Sequence, residues 1–224
     1  MEYYEIIAKS KLFEGIKKEN ITTLLNCLDY SVKSFKKNEF ILKQGNYFDS
    51  IGLILSGNVI VTKDDYMGNK NVLSKFNPSD HFAESFAASK LPLTIDVICS
   101  SDTIVLFIPI DKISTLCNNT CSYHLTLIHN LMSIIASKNI LLTNKINQMS
   151  KRTTRDKLMA YLLDVSKLKN SYYFDIPYNR QQLADYLSVD RSSMSNELCK
   201  LRDEEYIKFN KNHFEINLKK PHHI

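Results

Sequence analysis

The sequence predicts an α+β protein in three parts: a β sandwich or barrel, one long helix, and a small helical domain closed by a hairpin. Three observations carry this. Short β-branched and aromatic runs recur between about residues 31 and 110, each bounded by turn residues. Residues 111–149 contain neither Gly nor Pro and repeat apolar side chains at alternating spacings of four and three. Residues 179–201 then read as two short helices around a tight turn. The predicted domains are 1–110, 111–150 and 151–224.

Taken in order, residues 1–30 are helical, with Leu12, Ile16, Ile21, Leu24, Leu25 and Leu28 at helical spacing. The runs SVKSF, FILK, SIGLIL, NVIVTK, NVLSKF, LTIDVIC and TIVLFI are strands. Gly45, Gly57 and Gly68 sit in turns, whereas Gly52 lies inside a strand and signals a bulge or a close backbone approach. In the long helix, Ile128, Met132, Ile135, Asn139, Leu142, Ile146 and Met149 form a heptad seam over about three heptads. Leu127, Leu131, Ile134 and Leu141 flank it. One stripe is expected on the strand domain and the seam against a second copy of the chain, with Asn139 fixing register. The alternative is a single-chain helix buried on two sides. Thr153, followed by Asp156, caps the next helix, which carries Leu158, Tyr161, Leu162 and Val165.

The 224 residues are 44% hydrophobic and 24% charged, enough for a real core. No uninterrupted apolar run of about 18 residues occurs, and the N-terminus lacks a charged-then-apolar leader, so neither a spanning helix nor a signal peptide is expected. A cytoplasmic protein without a membrane partner follows. Five scattered cysteines, an odd number, suit free thiols in a reducing compartment. Of the net charge of +5, most lies after residue 150, where 14 basic residues face 10 acidic ones. That balance points to an anionic partner there. No phosphate loop, G-x-S-x-G or H-E-x-x-H is present, so the chain does not read as an enzyme. Cys117, Cys121 and His124 have metal-like spacing but no fourth ligand, and no metal site is assigned. The terminal KKPHHI reads as a tail.

The segment NRQQLADYLSVDRSSMSNELCKL carries the functional signal. Leu183, Ala184 and Leu187 face inward from the first helix. Asp190 caps the second, whose Met194, Leu198 and Leu201 also face inward. Arg191, Ser192, Ser193, Ser195, Asn196 and Lys200 stay outside. Arg bonds guanine bidentately, Asn bonds adenine, and Ser reaches bases or phosphates, so this face has the chemistry of a major-groove reader. The following EEYIKFN-KNH-FEIN reads as a hairpin with Lys208, Lys211, Asn212 and His213 near its tip.

The whole chain resembles the Crp/Fnr superfamily of bacterial transcription regulators. KQGNYFDSIGLILSGNVIV is similar to the family's roll signature, through Gly45, Leu53–Ile54, Gly57 and Val59. NRQQLADYLSVDRSSMSNELCKLRDEEYI resembles its helix-turn-helix. The resemblance implies a jelly-roll effector domain, a long dimerising helix and a winged helix. It implies a homodimer on a pseudo-palindromic operator in double-stranded DNA, with RNA polymerase as a partner. Arg191, Ser192 and Asn196 fall where the family reads bases, and Asn179, Arg180 and Ser193 where it contacts phosphates. In the family's nucleotide cassette, Glu84 matches the ribose-binding carboxylate, with Ser85 beside it. Ala83 replaces a Gly and Leu93 the phosphate-binding Arg, while Thr94 keeps a hydroxyl; Leu142 and Thr143 align near the base. Without that Arg a buried phosphate lacks its charge-assisted partner, so cyclic AMP is not expected. Cys27 is the only cysteine before Cys99, which disfavours an iron–sulfur cluster. Haem stays open, with His81, His124, His129 and the cysteines as candidate axial ligands, and with it a gas or redox sensor using the same DNA-binding output.

Overall fold

A computed structural model describes residues 3–64, 70–114 and 122–217. The chain divides into two compact units, Met1–Ser137 and Lys138–Ile224.

The first unit opens with α1 (Tyr4–Lys9), a single 3₁₀ turn at Lys11–Phe13, and α2 (Lys18–Cys27). The helical stretch expected over 1–30 is therefore interrupted, with Gly15 at φ +77° between the pieces. Eight strands follow: β1 (Ser31–Phe35), β2 (Phe40–Leu42), β3 (Ser50–Ser56), β4 (Val59–Asp64), β5 (Lys70–Phe76), β6 (His81–Phe82), β7 (Asp96–Cys99) and β8 (Thr103–Pro109). They form two antiparallel sheets, ordered β1-β8-β3-β6 and β2-β7-β4-β5, the two-sheet closure of a jelly roll. The short α3 (Glu84–Ser89) lies between β6 and β7, and α4 (Ile110–Ser114) follows β8.

The apolar run of β3 is explained by burial on both faces. Ile51, Leu53 and Leu55 join a core with α1, α2 and the long helix, while Ile54 points into the roll with Leu42, Val97, Val105 and Phe107. β8 alternates in the same way: Leu106 and Ile108 outward, Val105 and Phe107 inward. Gly52 allows the close approach its position suggests, since a Cβ there would overlap the Phe82 ring across the β3–β6 pair. Gly68 and its turn lie outside the described residues.

Helix α5 (Ser122–Met149) crosses the point where the two units divide. Its Leu127, Leu131 and Ile134 are buried in the helical core of the first unit, with Ile128 and Ile135 at the edge of that core. Asn130 donates to the carbonyls of Leu12 (3.1 Å) and Glu14 (2.8 Å). By length and composition α5 is apolar enough to cross a membrane, although it contains no unbroken apolar run of that length. Its packing against the roll unit accounts for one apolar stripe.

The second unit contains the end of α5, then α6 (Thr154–Lys169), β9 (Tyr173–Asp175), α7 (Arg180–Leu187), α8 (Arg191–Asp203), β10 (Ile207–Asn210) and β11 (His213–Ile216). Thr153 caps α6, accepting from the Asp156 amide at 3.1 Å. Leu158, Leu162, Leu183, Leu187, Met194 and Leu198 form its core with Phe174 and Phe214. The buried amide of Gln148 donates to Asp164 Oδ2 at 2.7 Å and accepts from the Tyr186 hydroxyl at 3.3 Å. Thus the last turn of α5 is bonded to α6 and α7.

Candidate nucleic-acid interface

The two helices of the turn motif are fixed at their starts by side chains. Asn179 Oδ1 accepts the Gln182 amide and Gln182 Oε1 accepts the Asn179 amide, both at 2.9 Å, forming a capping box on α7. Ser188, at φ +52°, closes α7 and turns the chain. Asp190 then caps α8 by accepting the Ser193 amide at 2.8 Å and the Ser192 hydroxyl. Those bonds hold the Asp190 carboxyl below the usual carboxylate range, the Ser192 hydroxyl first and the Ser193 amide second. The cap is therefore complete above the ordinary carboxylate pKa and weakens as pH falls through its lower folded value.

Met194, Leu198 and Leu201 are fully buried on the inner face of α8, which leaves Arg191, Ser192, Ser195, Asn196 and Cys199 on the outer face. Among the described residues, the side chains of Arg191 and Asn196 have no hydrogen-bond or ion-pair partner. The nearby acids are engaged elsewhere. Glu204 takes a two-pronged bond from Arg155, whose guanidinium is thereby held more basic, and Glu197 pairs with Lys200 at 2.7 Å. Arg191 thus has an exposed, uncompensated guanidinium at the first position of a helix whose free N–H groups also favour anions. Of the other sequence-predicted residues, Asn179 and Ser192 spend their side chains on caps, and Lys200 is shared with Glu197. Ser193 is exposed, and Arg180 is half-buried against the hairpin.

The hairpin is present, with Phe209 opposite Phe214, and β9 extends it to a three-stranded sheet ordered β10-β11-β9. At its tip Lys211 sits at φ +51°, exposed and without a partner among the described residues.

In the roll, Glu84 opens α3 and is buried, and Leu93 is packed among Leu42, Phe82 and Val97. Ala83 holds a left-handed backbone (φ +66°), the conformation for which glycine is the easy residue. Ser85 and Thr94 are exposed. The described surface also carries an open pocket of about 310 Å³, bordered by Tyr47, Phe48, Ala87 and the Lys90–Asp111 pair, whose lining does not include Glu84 or Leu93.

Comparisons with known proteins match both halves. The cyclic nucleotide-binding domain model covers residues 32–120, and the Crp-like helix-turn-helix domain model covers 156–222. The chain belongs to the Crp/Fnr family of transcription regulators. Solved structures show the same fold. The catabolite activator protein of Thermus thermophilus is 19% identical over 93% of this chain and 94% of its own, with a TM-score of 0.51. OCPA-complexed CprK is 13% identical over 88% and 89%, with a TM-score of 0.58. A cyclic nucleotide-binding domain from Methylobacillus flagellatus is 20% identical over 68% and 84%, with a TM-score of 0.55. No curated protein matches the chain.

Against the Crp/Fnr pattern, Glu84 and Leu93 are buried, but Thr94, whose hydroxyl the motif keeps, is exposed. Leu142 and Thr143 are exposed, and Thr143 donates to Asn139. Of the seam, Met132, Leu142 and Ile146 are more than 60% exposed, while Ile128, Ile135 and Met149 are half-buried. The flanking stripe is buried at Leu127, Leu131 and Ile134 but not at Leu141. Cys117 and Cys121 lie outside the described residues. His124 is fully buried, its Nε2 donating to the Lys112 carbonyl at 3.1 Å. Among the described residues no three His, Cys, Asp or Glu side chains group as a metal site. The Arg155–Glu204 buttress and the Tyr161–Tyr178–Tyr186 cluster were not foreseen from sequence.

Proposed function

We propose that the chain acts as a homodimeric, sequence-specific regulator that lays α8 in the major groove of a pseudo-palindromic operator. The observation that carries this reading is the unpaired Arg191 and Asn196 on the outer face of a helix whose inner face is fully packed. Arg191 and Asn196 have the donors and acceptors to read base edges, with Ser195 and Ser192 beside them. Ser193, Lys200 and the α7 terminus capped by Asn179 face the backbone phosphates. The exposed apolar residues Met132, Leu142 and Ile146 supply a surface for the second copy, placing two α8 helices one helical turn, about 34 Å, apart. RNA polymerase is the downstream partner, and the cytoplasm is the compartment.

The roll senses the effector, and cyclic AMP is not it. Leu93 fills with hydrocarbon the place where the family holds a phosphate, and burying an unpaired anion there costs several kcal/mol. Selection of bound genomic fragments by the purified full chain tests the reading. Enrichment of one palindromic motif is expected, with affinity falling steeply with salt and unmoved by cyclic AMP. Equal retention of random duplex, with or without cell extract, overturns it.

A further inference from the structure

Arg180 is held unlike the other basic residues of the interface. Its guanidinium lies 4.9 Å from the ring centroid of Phe209 on β10 and 5.3 Å from that of Phe214 on β11. Those rings stack on each other at 5.8 Å, and Phe214 stacks on Phe174 of β9 at 6.3 Å. Arg202 reaches Phe209 from α8 at 5.9 Å. Arg180 has no carboxylate partner among the described residues, and its Nη1 is buried without a hydrogen bond. Burial lowers the basicity of the guanidinium, against a smaller opposing effect of Cys199. A cation left without a counter-charge and partly stripped of water is held here by aromatic faces, an arrangement that favours a flat guanidinium over an ammonium.

The hairpin's own cations are unequal. Lys208 is paired with Glu215 at 3.3 Å and His213 with Asp175 at 3.1 Å, leaving Lys211 at the tip unpaired. Resting on the DNA-binding reading above, we propose that Arg180 is a positioning residue that clamps the hairpin to the start of α7 and sets the angle at which Lys211 meets the DNA backbone. On this account Arg180 serves binding chiefly through the hairpin rather than as an independent phosphate contact.

The test compares the full-length wild type with Arg180→Lys, Lys211→Ala and the double variant, by duplex affinity at several salt concentrations and by amide hydrogen exchange. Arg180→Lys keeps the charge and loses the planar stack. Exchange across residues 207–216 is expected to rise about tenfold, while α6 and the body of α8 are unchanged. Lys211→Ala is expected to lower the salt slope by about 0.9 in the wild type and by nothing further in Arg180→Lys. If Arg180→Lys leaves hairpin exchange and affinity intact, and Lys211→Ala costs the same in both backgrounds, the clamp is refuted and Arg180 is a simple phosphate contact. If Arg180→Lys fails to fold, Phe209→Leu removes one stacked ring and decides on the same readouts. If the wild type binds no duplex, the DNA reading fails, and hairpin exchange still decides the clamp.

Discussion

Helices α8 and α5 each turn a face away from their own cores, and the two faces differ in kind. That of α8 is polar, with a cation and an amide lacking partners. That of α5 is largely hydrocarbon: Met132, Leu142 and Ile146 share one side of the helix and are each more than 60% exposed, with Asn139 among them. Water satisfies Arg191 and Asn196 at little cost, so their face waits for a partner only in the sense of specificity. Water gains nothing from exposed hydrocarbon, whose exposure is a free-energy cost that a second surface removes. On the proposed reading, the first face selects what is bound and the second favours association itself.

The largest expected effect follows from poisoning the apolar face. Met132→Lys with Ile146→Lys should convert a dimer to monomers in sedimentation and weaken operator binding by about a hundredfold or more, because the second half-site is no longer engaged intramolecularly. An unchanged sedimentation coefficient and affinity would dissociate that stripe from self-association. Next is the inner face of α8. Leu198→Ala should destabilise the winged-helix unit by about 2–5 kcal/mol in urea unfolding, since a fully buried side chain leaves a cavity. A loss below about 1 kcal/mol would mean that α8 does not pack as described.

On the outer face, Arg191→Ala should cost roughly 1–3 kcal/mol at the preferred site and much less on random duplex, flattening base preference in a selection experiment. Equal losses on both would make Arg191 a phosphate contact. The smallest effect is a pH response. Burial raises the Tyr161 and Tyr186 hydroxyls above the ordinary tyrosine value, with neighbouring tyrosines adding to it. Their neutral forms are favoured in the fold, so their contribution is full below the unfolded pKa, about 10, and declines as pH rises above it. Thermal melts of the wild type should lose midpoint above that pH, and Tyr161→Phe should blunt the loss.

Much of the α8 site is legible in sequence because local rules determine it. Asp190 is a side-chain cap and places the start of α8 to the residue, whereas the Asn179 capping box on α7 emerges only in the structure. Met194, Leu198 and Leu201 give the inward face by periodicity alone. The strand runs of the roll are legible for the same reason, although continuous runs such as β3 do not say that two cores share them. What is lost is short or distant. β6 and α3 are too brief for a period, and β9 escapes because YYF precedes a proline-containing turn. Arg180 looks like a free cation until the hairpin folds back and brings Phe209 and Phe214 beneath it. Thr94 keeps a hydroxyl in the motif, yet its side chain is exposed, which spacing does not reveal.

Gln148 is the last buried residue of the long helix, and its amide is shared by Asp164 and Tyr186. A shortened chain begun at residue 151 would strip both of that bond and uncover the tyrosine ring that Lys145 shields. The compact unit that holds α8 begins earlier, at Lys138, and includes the tail of α5.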